Sequence, residues 1–164
     1  MKKISKGFTL IELLVVIGIL AILLAITLIA INPARQFGQA NNTKRRSDIL
    51  QILNAVHQYV AENQGQLPAE LSALRAASPG VATVFDRTNF PLLCGQLSPN
   101  YIPALPTDPS LNRANITDCS VAVGGWTEVG GTLSTGYDIA VDAQGRVTVS
   151  APTTDNSAVI TVTR

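Results

Sequence analysis

The sequence has few of the residues that usually carry catalysis or bind metals. It contains one histidine, His57, with two cysteines and one tryptophan, and 14% of its residues are charged. A zinc site needs several His, Cys or carboxylate ligands at close spacing, and no second histidine supports one. No nucleophile elbow or glycine-rich phosphate loop accompanies the serines and aspartates. These absences predict that the chain is not an enzyme.

Positive charge is scarce in the C-terminal part of the chain. From Gln66 onward there are five Arg residues against eight Asp or Glu residues, a net charge of −3. A nucleic-acid-binding domain normally presents a basic surface. We therefore expect no nucleic acid among the partners of this part.

One long apolar run stands out near the N-terminus. Residues 8–31 are 24 residues with a single charge, Glu12. As a helix they would span about 36 Å, enough to cross a hydrocarbon core of about 30 Å. The run is preceded by Lys2, Lys3 and Lys6 and by no acidic residue. This pattern predicts a single membrane span with its N-terminus in the cytoplasm and the rest of the chain outside.

Two simpler membrane segments fit this run poorly. A secretory signal peptide has an apolar core of about 7–15 residues and a small-residue cleavage site, and residues 27–30 are a poor match for such a site. An ordinary single-span anchor leaves Glu12 unexplained, because a carboxylate near the bilayer centre costs about 2.5–3.5 kcal/mol. Glu12 therefore calls for a partner.

A family resemblance rests on residues 6–12, Lys-Gly-Phe-Thr-Leu-Ile-Glu. After a short lysine-rich leader, they resemble the class III signal of type IV prepilins and type II secretion pseudopilins. The resemblance implies that a membrane prepilin peptidase cleaves between Gly7 and Phe8 and then N-methylates Phe8. It also implies that Glu12 pairs with the N-terminal amine of a neighbouring subunit during assembly. The alternative is that Glu12 complements its own helix N-terminus.

The resemblance also implies a function and a set of partners. The chain is expected to be a pilin that polymerises into a type IV pilus. The alternatives are a pseudopilin of a type II secretion system and a non-polymerising membrane-anchored binding module. The implied partners are further copies, other pilin-like subunits, the prepilin peptidase, the assembly platform with its ATPase, and membrane lipid. The implied location is the inner membrane, followed by a cell-surface pilus or a periplasmic pseudopilus.

No cofactor is expected, but calcium stays open as an alternative. Major pseudopilins bind calcium in a loop of the head, so the resemblance makes turn acids candidate ligands. The chain has no EF-hand spacing, and acids in turns usually serve the turn itself. The candidates are Asp108, Asp118, Asp138, Asp142 and Asp155.

Helical periodicity resumes after the apolar run. Pro33 predicts either a kink or a helix that starts again there. Apolar residues three and four apart predict an amphipathic helix over residues 47–64, with a core-facing stripe. The stripe consists of Ile49, Ile52, Leu53, Val56, Tyr59 and Val60. The basic cluster Lys44, Arg45 and Arg46 precedes it, and such a cluster is usually solvated, although it could face anionic headgroups or acids of a neighbouring subunit.

Most of the nine prolines lie in residues 67–109. Their density excludes a long helix or a central strand and predicts a structured connection with one short helical turn at residues 71–77. Residues 100–109 also resemble a Tyr-Ile/Leu-Pro and Pro-x-Asp-Pro stretch that is common in this superfamily.

The C-terminal third predicts an antiparallel sheet. Alternating segments at 137–141 and 146–150 flank a turn at 142–145, and a further strand is predicted at 158–163. Additional strands are predicted at 119–123 and around Trp126. Packing the 47–64 helix on this sheet gives an α+β fold. The predicted organisation is a leader (1–7), a transmembrane helix (8–31), a stem helix (32–65) and a β-rich head (66–164).

The two cysteines, Cys94 and Cys119, lie in the part predicted to be outside the cytoplasm. Disulfides persist in such oxidising surroundings, so a bridge is expected. Two buried free thiols are the alternative. The bridge would fasten the middle of the head, whereas the disulfide of major pilins often fastens the C-terminal region.

Overall fold

A computed structural model describes residues 7–112, 114–117, 119 and 134–164. The chain forms two compact units, Met1–Phe37 and Gly38–Arg164. The predicted α+β class is confirmed, because long N-terminal helices precede a four-stranded antiparallel sheet. The strands predicted at 119–123 and around Trp126 lie outside the described residues, except for Cys119, which is not in a strand.

The first unit contains α1 (Leu10–Ile31) and the beginning of α2 (Pro33–Glu62). Asn32 separates them in a left-handed conformation with φ of 46°. The carbonyl of Asn32 accepts hydrogen bonds from the amides of Arg35 and Gln36. A proline at the first helical position loses no hydrogen bond, so the helix starts again at Pro33, as one of the two predicted alternatives required.

In the second unit, α2 buries the predicted stripe. Ile49, Ile52, Leu53 and Val56 are fully buried, and Tyr59 and Val60 pack at the edge of the same core. The helix ends because the next residues leave helical geometry: Gln64 and Gly65 have φ values of 56° and 82°. The amphipathic helix predicted from periodicity is therefore present as the C-terminal part of α2, which begins at Pro33.

The sheet has four strands that neighbour one another in chain order, all antiparallel. They are β1 (Thr83–Asp86), β2 (Ser134–Val141), β3 (Val147–Ala151) and β4 (Ile160–Thr163). Tyr137, Ile139 and Val141 of β2 alternate inward and share one core with the α2 stripe. In the predicted turn, the amide of Gly145 donates to the carbonyl of Asp142 at 3.0 Å.

The proline-rich segment contains more structure than the sequence predicted. The short helix is present as α3 (Ala69–Ala77), but the segment also contains β1 and a second helix, α4 (Leu93–Leu97). A short strand between prolines is compatible with an edge position, where only one side needs partners. The α4 N-terminus is stabilised from a distance, because the Glu70 carboxylate accepts bonds from the amides of Leu92 and Leu93 at 2.9 and 2.8 Å.

Candidate processing and assembly site

Gly7 and Phe8, the predicted cleavage residues, precede α1 in open backbone. Phe8 is 86% exposed. Among the described residues, no atom beyond the chain neighbours of Gly7 lies within 4 Å of the position that a Cβ there would occupy. A protease must bind its substrate as bare, extended chain, and this segment is free to be bound in that way.

Thr9 and Glu12 form a capping box at the start of α1. The Thr9 amide and hydroxyl donate to Glu12 Oε2 at 2.8 and 2.6 Å, and the Glu12 amide donates to Thr9 Oγ1 at 3.3 Å. Each residue therefore satisfies a backbone donor that the helix leaves unpaired. In a single chain, the Glu12 carboxylate serves its own helix N-terminus, as the alternative interpretation required.

The α1 helix is apolar on every side and has no buried residue. Its 22 residues span about 33 Å, and it is the one described helix long and apolar enough to cross a membrane. A helix without a polar face has to bury its surface in lipid or against other helices. Glu12 is therefore the one charged group on a surface that otherwise requires an apolar environment.

Comparison with known proteins gives one match for this segment. A family model of the prokaryotic N-terminal methylation motif matches residues 2–28. The chain carries the type IV prepilin and pseudopilin signal. No curated protein and no solved structure matches the chain. This signal supports assignment of the chain to the type IV pilin or pseudopilin family. Such a motif suggests a structural subunit rather than an enzyme. Together with the apolar helix α1, it fits a single-pass membrane anchor.

Beyond the prepilin signal, the second unit contains a buried ionic cluster that sequence analysis missed. Arg45 is 2% exposed. Its Nε and Nη2 donate to the two oxygens of Asp108 at 2.7 and 3.0 Å, and its Nη1 donates to Asp155 Oδ2 at 2.7 Å. Bidentate pairing of this kind fixes both groups in one geometry. The cluster joins α2 to the proline-rich segment and to the turn before β4.

Asn42 completes this cluster from one turn earlier on α2. Its Oδ1 accepts from Arg45 Nη1 at 2.9 Å and from the amide of Asp155 at 3.1 Å. Its Nδ2 donates to the carbonyl of Asp155 at 2.6 Å. Gly38 lies one further turn back on α2, where the segment around Asp155 packs closely against the helix. A Cβ at Gly38 would lie 2.9 Å from Asp155 Cβ, so a larger residue would not fit. The prediction that the basic cluster 44–46 is solvated is therefore right for Arg46 and wrong for Arg45.

The charges in the cluster stabilise one another. Burial alone would raise the pKa of Asp108, but hydrogen bonds from Arg45 and Ser110 outweigh it and lower that pKa. The hydrogen bond from Arg45 is also the main cause that lowers the pKa of Asp155. The bond to Asp108 raises the pKa of Arg45, which stays cationic. One cation thus compensates two carboxylates.

Asp48 lies on the same buried face of α2, between Arg45 and the apolar core. The hydroxyl of Tyr137 donates to Asp48 Oδ2 at 2.8 Å, and both residues are buried. Burial is the main cause that raises the pKa of Asp48, and the bond from Tyr137 opposes it in part. This pair ties α2 to β2 at the boundary between the ionic cluster and the apolar core.

The predicted disulfide is present in the structure. Cys94 of α4 is bonded to Cys119, with 5.2 Å between their Cα atoms. Both residues are buried in the core. The bridge therefore attaches α4 to the chain that follows the Leu105–Ile116 β-bridge, in the middle of the head.

The candidate calcium ligands are not gathered at one place. Asp108 and Asp155 bind the same arginine, whereas Asp142 accepts hydrogen bonds within the β2–β3 turn. Asp138 lies on β2, and Asp118 lies outside the described residues. Across the part of the chain that the structure describes, no group of three or more His, Cys, Asp or Glu side chains is arranged to hold a metal ion.

One sequence signal could have shown that the α2 residues of the ionic cluster lie on a buried face. Gly38, Asn42 and Arg45 continue the spacing of the apolar stripe toward the N-terminus, three and four residues apart. A periodic face that changes from apolar to polar side chains can remain buried if each polar group finds a partner. The partners, Asp108 and Asp155, are far away in sequence, so periodicity alone does not identify them.

Proposed function

We propose that the chain is a pilin that polymerises through α1 into a type IV pilus. The prepilin peptidase cleaves between Gly7 and Phe8 and methylates the new Phe8 amine. The observation that carries this proposal is α1 itself, an apolar helix without a buried residue, with the methylation motif at its start and one carboxylate, Glu12. Neighbouring α1 helices would cover one another in the filament.

Charge pairing in the assembled helices is the proposed role of Glu12. After cleavage, the Phe8 amine is a cation at the start of an apolar helix, where packing with other subunits removes water. A carboxylate on the next helix at similar depth compensates it, and pairing is favourable only when the register is right. Glu12 is the one charged residue in 8–31, so the segment offers no substitute. Thr9 would hold this carboxylate before assembly.

The proposed location follows from the flanking charges. The three lysines of the leader keep the N-terminus in the cytoplasm, and the second unit is translocated. The disulfide between Cys94 and Cys119 supports this orientation, since such bonds persist outside the reducing cytoplasm. Assembly then draws α1 out of the inner membrane into the filament.

A comparison of Glu12→Val with Thr9→Val tests the assembly mechanism. Glu12→Val should insert and be cleaved normally, because an apolar residue partitions well into lipid and Gly7 is unchanged. Filaments sheared from these cells should fall to near zero, while processed protein accumulates in the membrane. Thr9→Val removes the capping hydroxyl but keeps the carboxylate, so filaments should persist.

Other outcomes would contradict the mechanism. Normal filament yield from Glu12→Val would show that subunits assemble without this charge. Equal loss of filaments in both variants would show that Glu12 acts by capping its own helix. Absence of filaments from wild-type cells, with cleaved protein in the membrane, would favour a non-polymerising anchored module.

The second candidate is a pseudopilin of a type II secretion system, because the same signal and peptidase serve both families. The two candidates differ in what the cell loses. Deletion of a pilin should remove surface filaments and leave protein secretion intact, whereas deletion of a pseudopilin should stop secretion of exoproteins.

A further inference from the structure

A polar cleft lies at the C-terminal end of α2 in the second unit. Its volume is about 380 Å³, which is near the lower end of the roughly 300–1,000 Å³ of small-molecule pockets. Three parts of the fold wall it: the end of α2 with the loop that follows, α3, and the β2–β3 turn. Its polar lining consists of His57, Gln64, Gln66, Ser72, Arg75 and Gln144.

Arg75 gives the cleft an uncompensated positive charge. It has no hydrogen bond or ion pair with any described residue, and no Asp or Glu of the described chain lines the cleft. Its Nη1 lies 3.2 Å from where a Cβ on Gly145 would stand. Gly145, with φ of 86°, therefore leaves the space that the guanidinium uses. The positive charge of Arg75 therefore favours binding of a negatively charged group in the cleft.

Glutamine side chains supply hydrogen-bonding groups without charge, and His57 lies beside them. His57 Nε2 is buried and has no hydrogen-bond partner within the described residues. Each glutamine amide can both donate and accept, as a hydroxyl group requires. Val60, Leu67 and Val147 add an apolar wall.

We propose that this cleft binds a hydroxylated carboxylate of monosaccharide size, the chemistry of a hexuronic acid. The carboxylate would pair with Arg75, whose planar guanidinium matches it in two hydrogen bonds. The hydroxyl groups would meet the glutamine amides, and the C–H face of the sugar ring would lie on the apolar wall. This binding does not depend on polymerisation, so it can be tested on single chains.

Amide chemical shifts of the full chain in detergent micelles, titrated with glucuronate, test the proposal. Shift changes should be confined to residues that line the cleft. Glucose lacks the carboxylate and acetate lacks the hydroxyls, so both should bind roughly tenfold more weakly or worse. Arg75→Gln should weaken glucuronate binding by about tenfold or more. Arg46→Gln, which changes another exposed arginine of the same unit, should bind like the wild type.

Five results would overturn the proposal. Equal binding of acetate and glucuronate would show a simple anion site, and equal binding of glucose would remove the role of the charge. Tighter binding of glucose 6-phosphate would assign the cleft to phosphates. Unchanged spectra on addition of glucuronate would show that no such site exists, and unchanged affinity in Arg75→Gln would show that this arginine does not bind the carboxylate. Gln144→Ala, at an exposed turn position, gives a second variant that should weaken glucuronate but not acetate.

Discussion

At the scale of single residues, Arg45 and Arg46 show how helix geometry separates neighbours. Successive residues point about 100° apart around a helix. Arg46 is exposed, while Arg45 is 2% exposed and bound to Asp108, Asp155 and Asn42. Burying a charge is costly unless it is paired and hydrogen-bonded. The same residue type therefore serves solubility at one position and tertiary structure at the next.

Replacing Arg45 should destabilise the second unit strongly. Arg45→Met leaves Asp108 buried without its cation, and breaking such a pair from one side costs about 3–5 kcal/mol. Arg46→Met, its exposed neighbour, should change the free energy of unfolding by less than about 0.5 kcal/mol. Urea unfolding of the full chain in micelles, monitored through hydrogen exchange of the β2 amides, measures the free energy of unfolding of both variants. Similar effects of the two variants would contradict the role given to the cluster.

The cluster also makes stability depend on pH in a defined direction. The pKa values of Asp108 and Asp155 are lowered in the folded chain. Their stabilisation is therefore fully present above the unfolded carboxyl pKa of about 3.9 and is lost as the pH falls through the folded values. Asp48 acts in the opposite direction, because its raised pKa means that protonation relieves a cost on acidification.

A difference between two variants isolates this effect. The stability gap between wild type and Arg45→Met should be largest near neutral pH and should shrink as the pH falls below about 4. The gap between wild type and Arg46→Met should stay constant over the same range. Urea midpoints measured at several pH values give both gaps. A gap for Arg45→Met that does not change with pH would show that the carboxylates do not contribute through this arginine.

At the scale of elements, α2 has one buried face made of two chemistries. Ile49, Ile52 and Val56 could be predicted from sequence because apolar periodicity is a local signal. The acidic partners of Asn42 and Arg45 could not be predicted in this way, because they lie 63 to 113 residues away. Strands β2, β3 and β4 were predictable from alternation for the same local reason.

Elements stabilised by distant contacts escaped sequence analysis. Strand β1 is only four residues long, which is too short for a visible alternation of apolar and polar residues. It pairs with β2 on one side. Helix α4 is five residues long and depends on Glu70 for its N-terminal hydrogen bonds. The prepilin signal was predictable because it is a contiguous motif, whereas the cleft around Arg75 depends on three elements meeting.

The disulfide should stabilise the fold that contains these short elements, because it lowers the conformational entropy of the unfolded chain. Closing a loop between Cys94 and Cys119, 25 residues apart, is worth about 3–4 kcal/mol in the chain-entropy model. The double variant Cys94→Ala, Cys119→Ala should lower the free energy of unfolding by about that amount. The change in the urea midpoint measures it, with the reduced wild type as a control. An unchanged midpoint would show that the bridge adds little to the core around it.

At the scale of the whole molecule, the two units differ in what surrounds them. The α1 helix of the first unit has no buried residue, so it requires lipid or other helices. The second unit has a core of its own, an ionic cluster and a disulfide. The proposed pilin function would require both properties, because α1 would change partners while the second unit would stay folded.

In the proposed function, cleavage of the leader would convert this membrane protein into a subunit ready for assembly. Mass spectrometry of protein in sheared surface filaments therefore tests the proposed function. We expect a mature chain that begins at Phe8 and carries one methyl group on its N-terminal amine. Filaments containing chains that still begin at Met1, or that begin at Phe8 without the methyl group, would contradict it.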